Sequence, residues 1–168
     1  VAFGAKVLPV RVLGRCGGYT SDIADGMIWA AGGAVMGVPA NPTPAKVINL
    51  SLGGEGACDV TSQNAINAAR ARGATVVVAA GNSNADASQF SPASCTGVVT
   101  VAATGRSGAK ASYSNYGAVV SLAAPGGDGS DGVLSTWNTG TTTPGSDSYA
   151  AYLGTSMATP HVSGVAAL

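Results

Sequence analysis

The chain has 168 residues, of which 46% are hydrophobic and 10% are charged, and its formal net charge is zero. This composition excludes a disordered chain, and charges scattered singly offer no patch for a polyanion or an anionic membrane. No apolar run approaches the roughly 20 residues that span a bilayer. We therefore expect residues 1–168 to belong to a single domain, with no nucleic-acid partner and no membrane partner.

Apolar strands alternate with helices along most of the chain. The strands are predicted at residues 5–13, 47–52, 75–80, 98–103 and 119–123. One helix is predicted from Thr20 or Ser21 to Ala34, and a second from residues 59–62 to Arg72, where Gly73 closes it. Almost wholly apolar strands that alternate with helices indicate an α/β fold with a parallel sheet covered on both faces.

The C-terminal third of the chain is different in composition. It is rich in Gly, Ser, Thr and Asp from Gly126 to Ser148, which predicts a surface hairpin around residues 133–136. Residues 148–153 then lead into a last helix. Because the sequence opens inside an apolar strand and stops inside a helix without a C-cap, we expect a fragment truncated at both ends.

A serine near the C-terminus is a candidate nucleophile. The turn at Gly154 delivers Ser156 to the first turn of a helix of small residues. Such a hydroxyl is exposed and fixed in place, and the positive helix end favours a developing oxyanion. On local chemistry alone, an ordinary helix cap is the commoner role. The nucleophile elbow of α/β-hydrolases does not fit, because Ala158 stands where that motif requires glycine.

Three motifs together resemble the subtilisin-like peptidases, or subtilases. They are the serine motif LGTSMATPHVSG at residues 153–164, the SLG block at 51–53 and the AAGN block at 79–82. The blocks occur in the family's order, and the resemblance covers essentially the whole chain. It implies a subtilisin-like three-layer sandwich around a parallel sheet. It also implies a serine endopeptidase that hydrolyses peptide bonds through an acyl-enzyme on Ser156.

The resemblance implies that Asn82 is the side-chain donor of the oxyanion hole, beside the backbone N–H of Ser156. Judged from its local sequence, an asparagine after glycine is more often a turn residue. The chemistry suits an amide, because a neutral N–H stabilises negative charge on the former carbonyl oxygen without itself titrating.

The resemblance further implies a cleft in which an extended polypeptide substrate pairs with two strand edges. Residues 15–17 form one edge and residues 51–53 the other. Tyr19 and Leu52 line the pocket for the fourth residue before the cut, whereas residues 79–81 and Gly154 wall the pocket for the residue just before it. The predicted substrate-binding residues are Arg15, Cys16, Gly17, Tyr19, Ser51, Leu52, Gly53, Ala79, Ala80, Gly81 and Gly154. Without the resemblance, packing of small residues would explain them.

The single histidine, His161, is not the expected general base. It lies five positions after Ser156, a rotation of about 500° on a helix, so the two side chains occupy different faces. In the family this histidine is structural, and the triad aspartate and histidine precede the serine. Their motifs are absent, so we expect them upstream of Val1. One alternative is a non-catalytic subtilase-like domain that binds peptides; another is an unrelated secreted α/β domain.

Three cysteines, Cys16, Cys58 and Cys95, show no spacing typical of a zinc site. We predict a disulfide between Cys58 and Cys95, formed in an oxidising compartment, and therefore a secreted protein. Cys16 is then free or paired outside this sequence. The alternative is three small buried side chains.

The chemistry requires no cofactor, but members of the family often carry structural calcium. Four loop aspartates, Asp86, Asp128, Asp131 and Asp147, offer a suitable setting for oxygen ligands. No D-x-D-x-D-G loop is present, so the sequence identifies no ligand set, and turn stabilisation is the ordinary role of such residues. The resemblance also allows a prodomain as a further partner.

Overall fold

The computed structural model describes all residues from Val1 to Leu168. Three helices are present, α1 (Thr20–Ala30), α2 (Val60–Ala71) and α3 (Thr155–Ala166). The eight strands are β1 (Val47–Leu50), β2 (Gly54–Glu55), β3 (Thr75–Ala79), β4 (Phe90–Ser91), β5 (Val99–Thr104), β6 (Leu122–Pro125), β7 (Val133–Asn138) and β8 (Asp147–Tyr152). No helix is both long enough and apolar enough to cross a bilayer.

A four-stranded sheet in the order β1-β3-β5-β6 forms the centre of the fold, and all its neighbouring pairs are parallel. Strand β3 lies in the interior, with Val76, Val77 and Val78 almost completely buried. A short strand of β-branched residues buried on both faces is typical of a parallel sheet under helices. The predicted sheet is therefore confirmed.

The two faces of the sheet pack against different helices, because successive side chains of a strand point to opposite faces. Val76 and Val78 belong to the larger core, together with Met27 of α1 and Ile66 of α2. Val77 and its neighbours in β5 and β6 instead pack against Ala158 of α3. Helices thus cover both faces, which confirms the three-layer α/β sandwich.

The ends of α2 follow local signals. The Asp59 carboxylate accepts hydrogen bonds from the Ser62 backbone N–H at 2.9 Å and from Ser62 Oγ at 2.7 Å. These bonds lower the pKa of Asp59. The helix stops before Gly73, whose φ of 82° favours glycine. By contrast, α1 ends at Ala30 rather than at the predicted residue 34, because Gly32 is left-handed at φ 84°.

The predicted strand at residues 5–13 is wrong. The segment contains no strand, and the nearest β-bridge, which joins Gly14 to Gly17, lies just after it. Val10 and Val12 lie against Gly26 of α1, whereas Val7 is 88% exposed. The apolar pattern indicates burial, but a strand also requires a hydrogen-bonding neighbour, and no strand of this chain adjoins the segment.

The smaller sheets depart from the prediction in detail. Strands β2 and β4 form an antiparallel pair that was not predicted. The predicted hairpin is longer than residues 133–136, because β7 and β8 pair from Val133 opposite Tyr152 to Asn138 opposite Asp147. The predicted strand at 119–123 lies instead at Leu122–Pro125, because Val120 N–H donates to Gly117 in a turn.

The predicted pairing of Cys58 with Cys95 is present as a disulfide with a Cα–Cα distance of 5.0 Å. Cys16 is a free and exposed thiol.

Candidate active site

Ser156 occupies the second position of α3, directly after the Gly154 turn. The N–H groups of Met157 and Ala158 both donate to Gly154 O, at 3.0 and 3.3 Å. The N–H of Ser156 has no acceptor within the chain. A free donor at a helix N-terminus lies where the helix dipole adds positive potential. The predicted position of the serine is confirmed, and its own amide is available to an anionic oxygen.

The turn before Ser156 is anchored from the sheet side. Gly154 N–H donates to Gly126 O at 3.0 Å. The Tyr113 hydroxyl lies 2.8 and 2.7 Å from the carbonyl oxygens of Gly126 and Gly127. Burial raises the pKa of Tyr113, so the hydroxyl keeps the proton that it donates to these carbonyls.

Ser156 is also tied to the carboxyl end of β1. Its Oγ donates to Ser51 O at 3.3 Å, and Ser51 Oγ donates to Ser156 O at 2.8 Å. Asn49 supports this contact, because its Nδ2 lies 2.9 Å from Ser51 Oγ and its Oδ1 accepts from Ser163 Oγ at 2.9 Å. No histidine or carboxylate makes a hydrogen bond to Ser156.

Asn82 follows β3 and reaches the same turn. Its Oδ1 accepts from Thr155 N–H at 2.8 Å and from Thr155 Oγ1 at 2.9 Å. Two donors on one atom define that atom as the oxygen, so Nδ2 is the outward donor of the amide. A Cβ added at Gly154 would lie 3.6 Å from Nδ2, which places the donor beside the serine turn.

Thr155 is a functional neighbour that the sequence reasoning missed. Its side chain is fully buried, and Oγ1 accepts from Gly81 N–H at 3.2 Å while it donates to Asn82. Its place next to Ser156 in the motif was the available signal, but nothing in the sequence shows a contact with a residue 73 positions away.

His161 faces its own helix. Its Nδ1 lies 2.8 Å from Met157 O, one turn earlier. A carbonyl oxygen can only accept, so Nδ1 carries the proton and the ring is held by the backbone. This contact agrees with a structural role for His161.

A cleft of about 710 Å³ lies above Ser156 between the two predicted substrate edges. The predicted residues that line it are Gly17, Ser51, Leu52, Gly53, Ala79, Asn82 and Ser156. Outside that lining are Arg15, Cys16, Tyr19, Ala80, Gly81 and Gly154. The ionisable side chains that border the cleft are Glu55 and Asp59, both acidic.

The edge of the cleft at residues 51–53 presents unpaired backbone. Leu52 and Gly53 make no backbone hydrogen bond within the chain. On the opposite edge, Arg15 and Cys16 are not extended as predicted but form the tip of a tight turn, because Gly14 and Gly17 hydrogen-bond to each other. Free N–H and C=O groups along an extended segment are what a peptide strand requires when it adds to an edge.

The four candidate aspartates do not gather into one cluster of carboxylates. No group of three or more His, Cys, Asp or Glu residues comes together anywhere in the chain. Asp128 is engaged instead by Ser112, whose N–H and Oγ lie 2.9 and 2.7 Å from its carboxylate. These hydrogen bonds lower the pKa of Asp128, and Ser88 similarly lowers that of Asp86. Turn stabilisation is therefore the role that the contacts of Asp86 and Asp128 support, whereas Asp147 begins strand β8.

A serine on a helix N-terminus, placed beside a fixed amide at the carboxyl edge of a parallel sheet, is the arrangement of a nucleophilic hydrolase. The Subtilase family model matches residues 1–168, and the chain belongs to that family.

Relatives and solved structures agree with this assignment. The chain is 62% identical over 167 residues to an extracellular protease of Xanthomonas campestris pv. campestris, covering 99% of this chain and 28% of that protein. It is 56% identical to the extracellular basic protease of Dichelobacter nodosus, covering 100% of this chain and 27% of that protein.

A protease structure from Pseudoalteromonas arctica superposes with a TM-score of 0.97 at 61% identity. The match covers 99% of this chain and 51% of that one. The structure of a cold-adapted subtilisin-like serine proteinase gives a TM-score of 0.70 at 38% identity, covering 94% of this chain and 50% of that one. The chain therefore spans about half or less of the length of these relatives.

Proposed function

We propose that the protein containing this chain is a secreted serine endopeptidase with Ser156 as its nucleophile. The observation that carries the proposal is the convergence of three groups on one turn: the Ser156 hydroxyl, the unpaired Ser156 N–H and the outward Nδ2 of Asn82. The names of the two bacterial relatives, both extracellular proteases, support secretion, as does the disulfide.

The reaction follows from these groups. Ser156 Oγ attacks the carbonyl carbon of the scissile bond while its proton passes to a general base. The carbonyl oxygen becomes negative, and the N–H of Ser156 and Nδ2 of Asn82 donate to it. When the C–N bond breaks, the leaving amine takes the proton and an acyl-enzyme remains on Ser156. Water then attacks the ester and passes a proton to the same base, which returns it to Ser156 Oγ as the ester C–O bond breaks and the carboxylic acid leaves.

The substrate is an extended polypeptide. The unpaired backbone of residues 52–53 would hold it as an added strand, largely without regard to its side chains. Tyr19 and Leu52 would meet the fourth residue before the cut. Ala79, which lines the cleft, would meet the residue just before it, whereas Ala80 is fully buried and only supports that wall.

The general base and its carboxylate partner come from a part of the protein upstream of Val1. His161 is held by Met157 O, and no other histidine exists in this sequence. The relatives are much longer than this chain, and the apolar side chains of Val7, Val10 and Leu13 are 88%, 36% and 41% exposed. An additional segment that packs over residues 7–13 would bury these side chains and bring a base to the open side of Ser156.

Steady-state kinetics of the complete protein test the proposal. We expect Ser156→Ala to lower kcat on an extended peptide substrate by about 10⁶, a magnitude that is known for subtilisin itself and is taken from it. The matched control is His161→Gln in the same helix, which keeps an N–H donor for Met157 O. The proposal is wrong if the serine variant retains wild-type kcat, or if the histidine variant loses activity as completely as the serine variant does.

A further inference from the structure

The segment that carries Asn82 has little regular structure of its own. Residues 80–85, here called the Asn82 loop, follow β3 without helix or strand. Two of its residues adopt left-handed conformations, Gly81 at φ 106° and Asn84 at φ 49°. An oxyanion donor must nevertheless be held in place before the reaction begins. The contacts that hold this loop therefore bear on catalysis.

Asn115, from the connection between β5 and β6, supplies most of those contacts. Its Oδ1 accepts from Ser83 N–H at 2.9 Å and from Ala85 N–H at 3.1 Å. Its Nδ2 donates to Ala80 O at 2.9 Å, and its backbone N–H donates to Gly81 O at 3.0 Å. These four hydrogen bonds surround Asn82 on both sides and leave Asn82 itself untouched.

The side chain of Asn115 is fully buried, and an amide is the group that these contacts require. One end must accept two N–H groups and the other must donate to a carbonyl, which a single carboxamide does with both ends satisfied. Buried hydrogen bonds of this kind are costly to lose and fix a single geometry.

Gly81 shows how tightly the loop fits on this side chain. A Cβ built at Gly81 would lie 2.3 Å from Asn115 Nδ2, so the loop backbone rests directly on the amide. On its other side, Gly81 N–H donates to Thr155 Oγ1 at 3.2 Å. The loop is thus held between Asn115 and the serine turn, and a shift at Asn115 is transmitted to the Asn82 side chain.

We propose that Asn115 is a positioning residue that holds the Asn82 amide at the place where the oxyanion develops. This inference rests on the proposed function of Ser156 and Asn82. Asn115 touches neither substrate nor nucleophile, so it acts only through the backbone of the Asn82 loop. Displacing a catalytic group by about 1 Å can cost up to about 10²-fold in rate.

The complete protein is the material for the test, with Asn115→Ala and the volume-preserving Asn115→Asp as variants. The concentration of active sites is measured by titration with a fluorophosphonate, so that kcat refers to folded enzyme. We expect kcat to fall about 10- to 100-fold with KM nearly unchanged, because the donor acts mainly in the transition state. Affinity for a peptide boronic acid that forms a tetrahedral adduct should fall by a similar factor.

Asn41→Ala is the matched control. Asn41 is another buried asparagine whose amide holds a loop, with Nδ2 donating to Ala30 O at 3.1 Å and Oδ1 accepting from Thr43 N–H at 2.9 Å. Neither bond reaches the Asn82 loop. We expect this variant to lower the melting temperature while kcat per active site stays at the wild-type value.

A double-mutant comparison separates positioning from stability. In an Asn82→Ala background no side-chain donor remains to be positioned, so adding Asn115→Ala should cost little further kcat. Inactivity of the wild-type protein would defeat the proposed peptidase function itself. With an active wild type, three results would overturn the role of Asn115: unchanged kcat in both variants, an equal loss in the Asn82→Ala background, or failure of both variants to yield titratable enzyme. The last would show a requirement for folding instead.

Discussion

The two sides of the cleft above Ser156 differ in how completely this chain builds them. On the Asn82 side, β3 is buried among its neighbours, and the loop that follows it is bonded to both Asn115 and Thr155. On the opposite side, residues 1–18 contain no strand, and apolar side chains such as Val7 remain exposed. One side contains its own partners, whereas the other leaves apolar side chains without a partner in this chain.

The two sides of the cleft also differ in the catalytic groups that they contain. The groups that would stabilise negative charge lie on the completed side, where hydrogen bonds fix them before a substrate arrives. The group that would remove the serine proton is absent from both sides. In the proposed mechanism, electrostatic stabilisation and proton transfer are contributed by separate parts of the protein, and variants of one part can be compared with variants of the other.

The largest expected effect on stability comes from the disulfide, which holds the completed side together. Cys58 and Cys95 are separated by 37 residues. The chain-entropy relation gives about 4 kcal/mol for a loop of that length. We expect the complete protein with Cys58→Ala and Cys95→Ala to lose about this much free energy of unfolding in urea titrations. Cys16→Ala, which removes the exposed free thiol, is the control and should change little; equal losses in the two proteins would contradict the assignment.

The next effect concerns the oxyanion donor. We expect Asn82→Ala to lower kcat by about 10²–10³ with little change in KM, a magnitude known for the corresponding donor of subtilisin and adopted from it. Asn67→Ala is the control, because this exposed asparagine accepts from Gln63 Nε2 at 3.0 Å within α2 and lies outside the Asn82 loop; its kcat should equal the wild-type value. Lower stability with normal kcat in the Asn82 variant would reduce Asn82 to a turn residue.

A smaller effect is expected at the cap of α2. Asp59→Ala should cost about 1 kcal/mol of unfolding free energy at pH 7, the usual value for such a cap. Because the folded-state pKa of Asp59 is lowered, its contribution is complete above the unfolded pKa of about 4 and is lost as the pH falls through the lower folded pKa. Urea titrations should therefore show a smaller difference in unfolding free energy between the variant and the wild type in acid than at pH 7. An equal difference at both pH values would rule out the charged cap.

The smallest effect is expected at His161. Its Nδ1–H bond to Met157 O is the contact that a glutamine can replace. We expect kcat of His161→Gln to stay within about twofold of the wild type. This change is smaller than the one that the loss of a hydrogen bond in the transition state would cause. The pH–rate profile should also be unchanged. If the acidic limb of the pH–rate profile disappeared in this variant, His161 would be the general base. The open side of the cleft would then need no base from outside this chain.

Local signals explain which elements the sequence could predict. The start of α2 after Asp59 and its end before Gly73 depend on residues adjacent in the chain. The observed start lies within the predicted range 59–62, and the observed end lies one residue before the predicted Arg72. The apolar pattern of residues 5–13 predicted a strand wrongly, because pairing depends on a neighbour that the pattern does not describe. The two-residue strands β2 and β4 are too short for any periodicity.

The residues of the site also differ in whether the sequence could predict them. Ser156 and Asn82 were predicted because their motifs resemble a family, not because their local chemistry is distinctive. The hydrogen bonds of Asn115 to the Asn82 loop and of Thr155 to Asn82 join residues 30 or more positions apart. Such contacts are created by the fold of the sheet, and no spacing in the sequence indicates them.

The most direct test of the central claim is the covalent labelling of Ser156. The complete protein is treated with a fluorophosphonate, digested and mapped by mass spectrometry, beside the Ser156→Ala variant. An activated serine reacts with such a reagent through its deprotonated oxygen, whereas an ordinary helix cap does not. We predict a single adduct on the peptide that contains Ser156, loss of activity in proportion to the adduct, and no adduct in the variant. An unlabelled Ser156 in a protein that hydrolyses peptides, or inactivation through an adduct on another residue, would contradict the account.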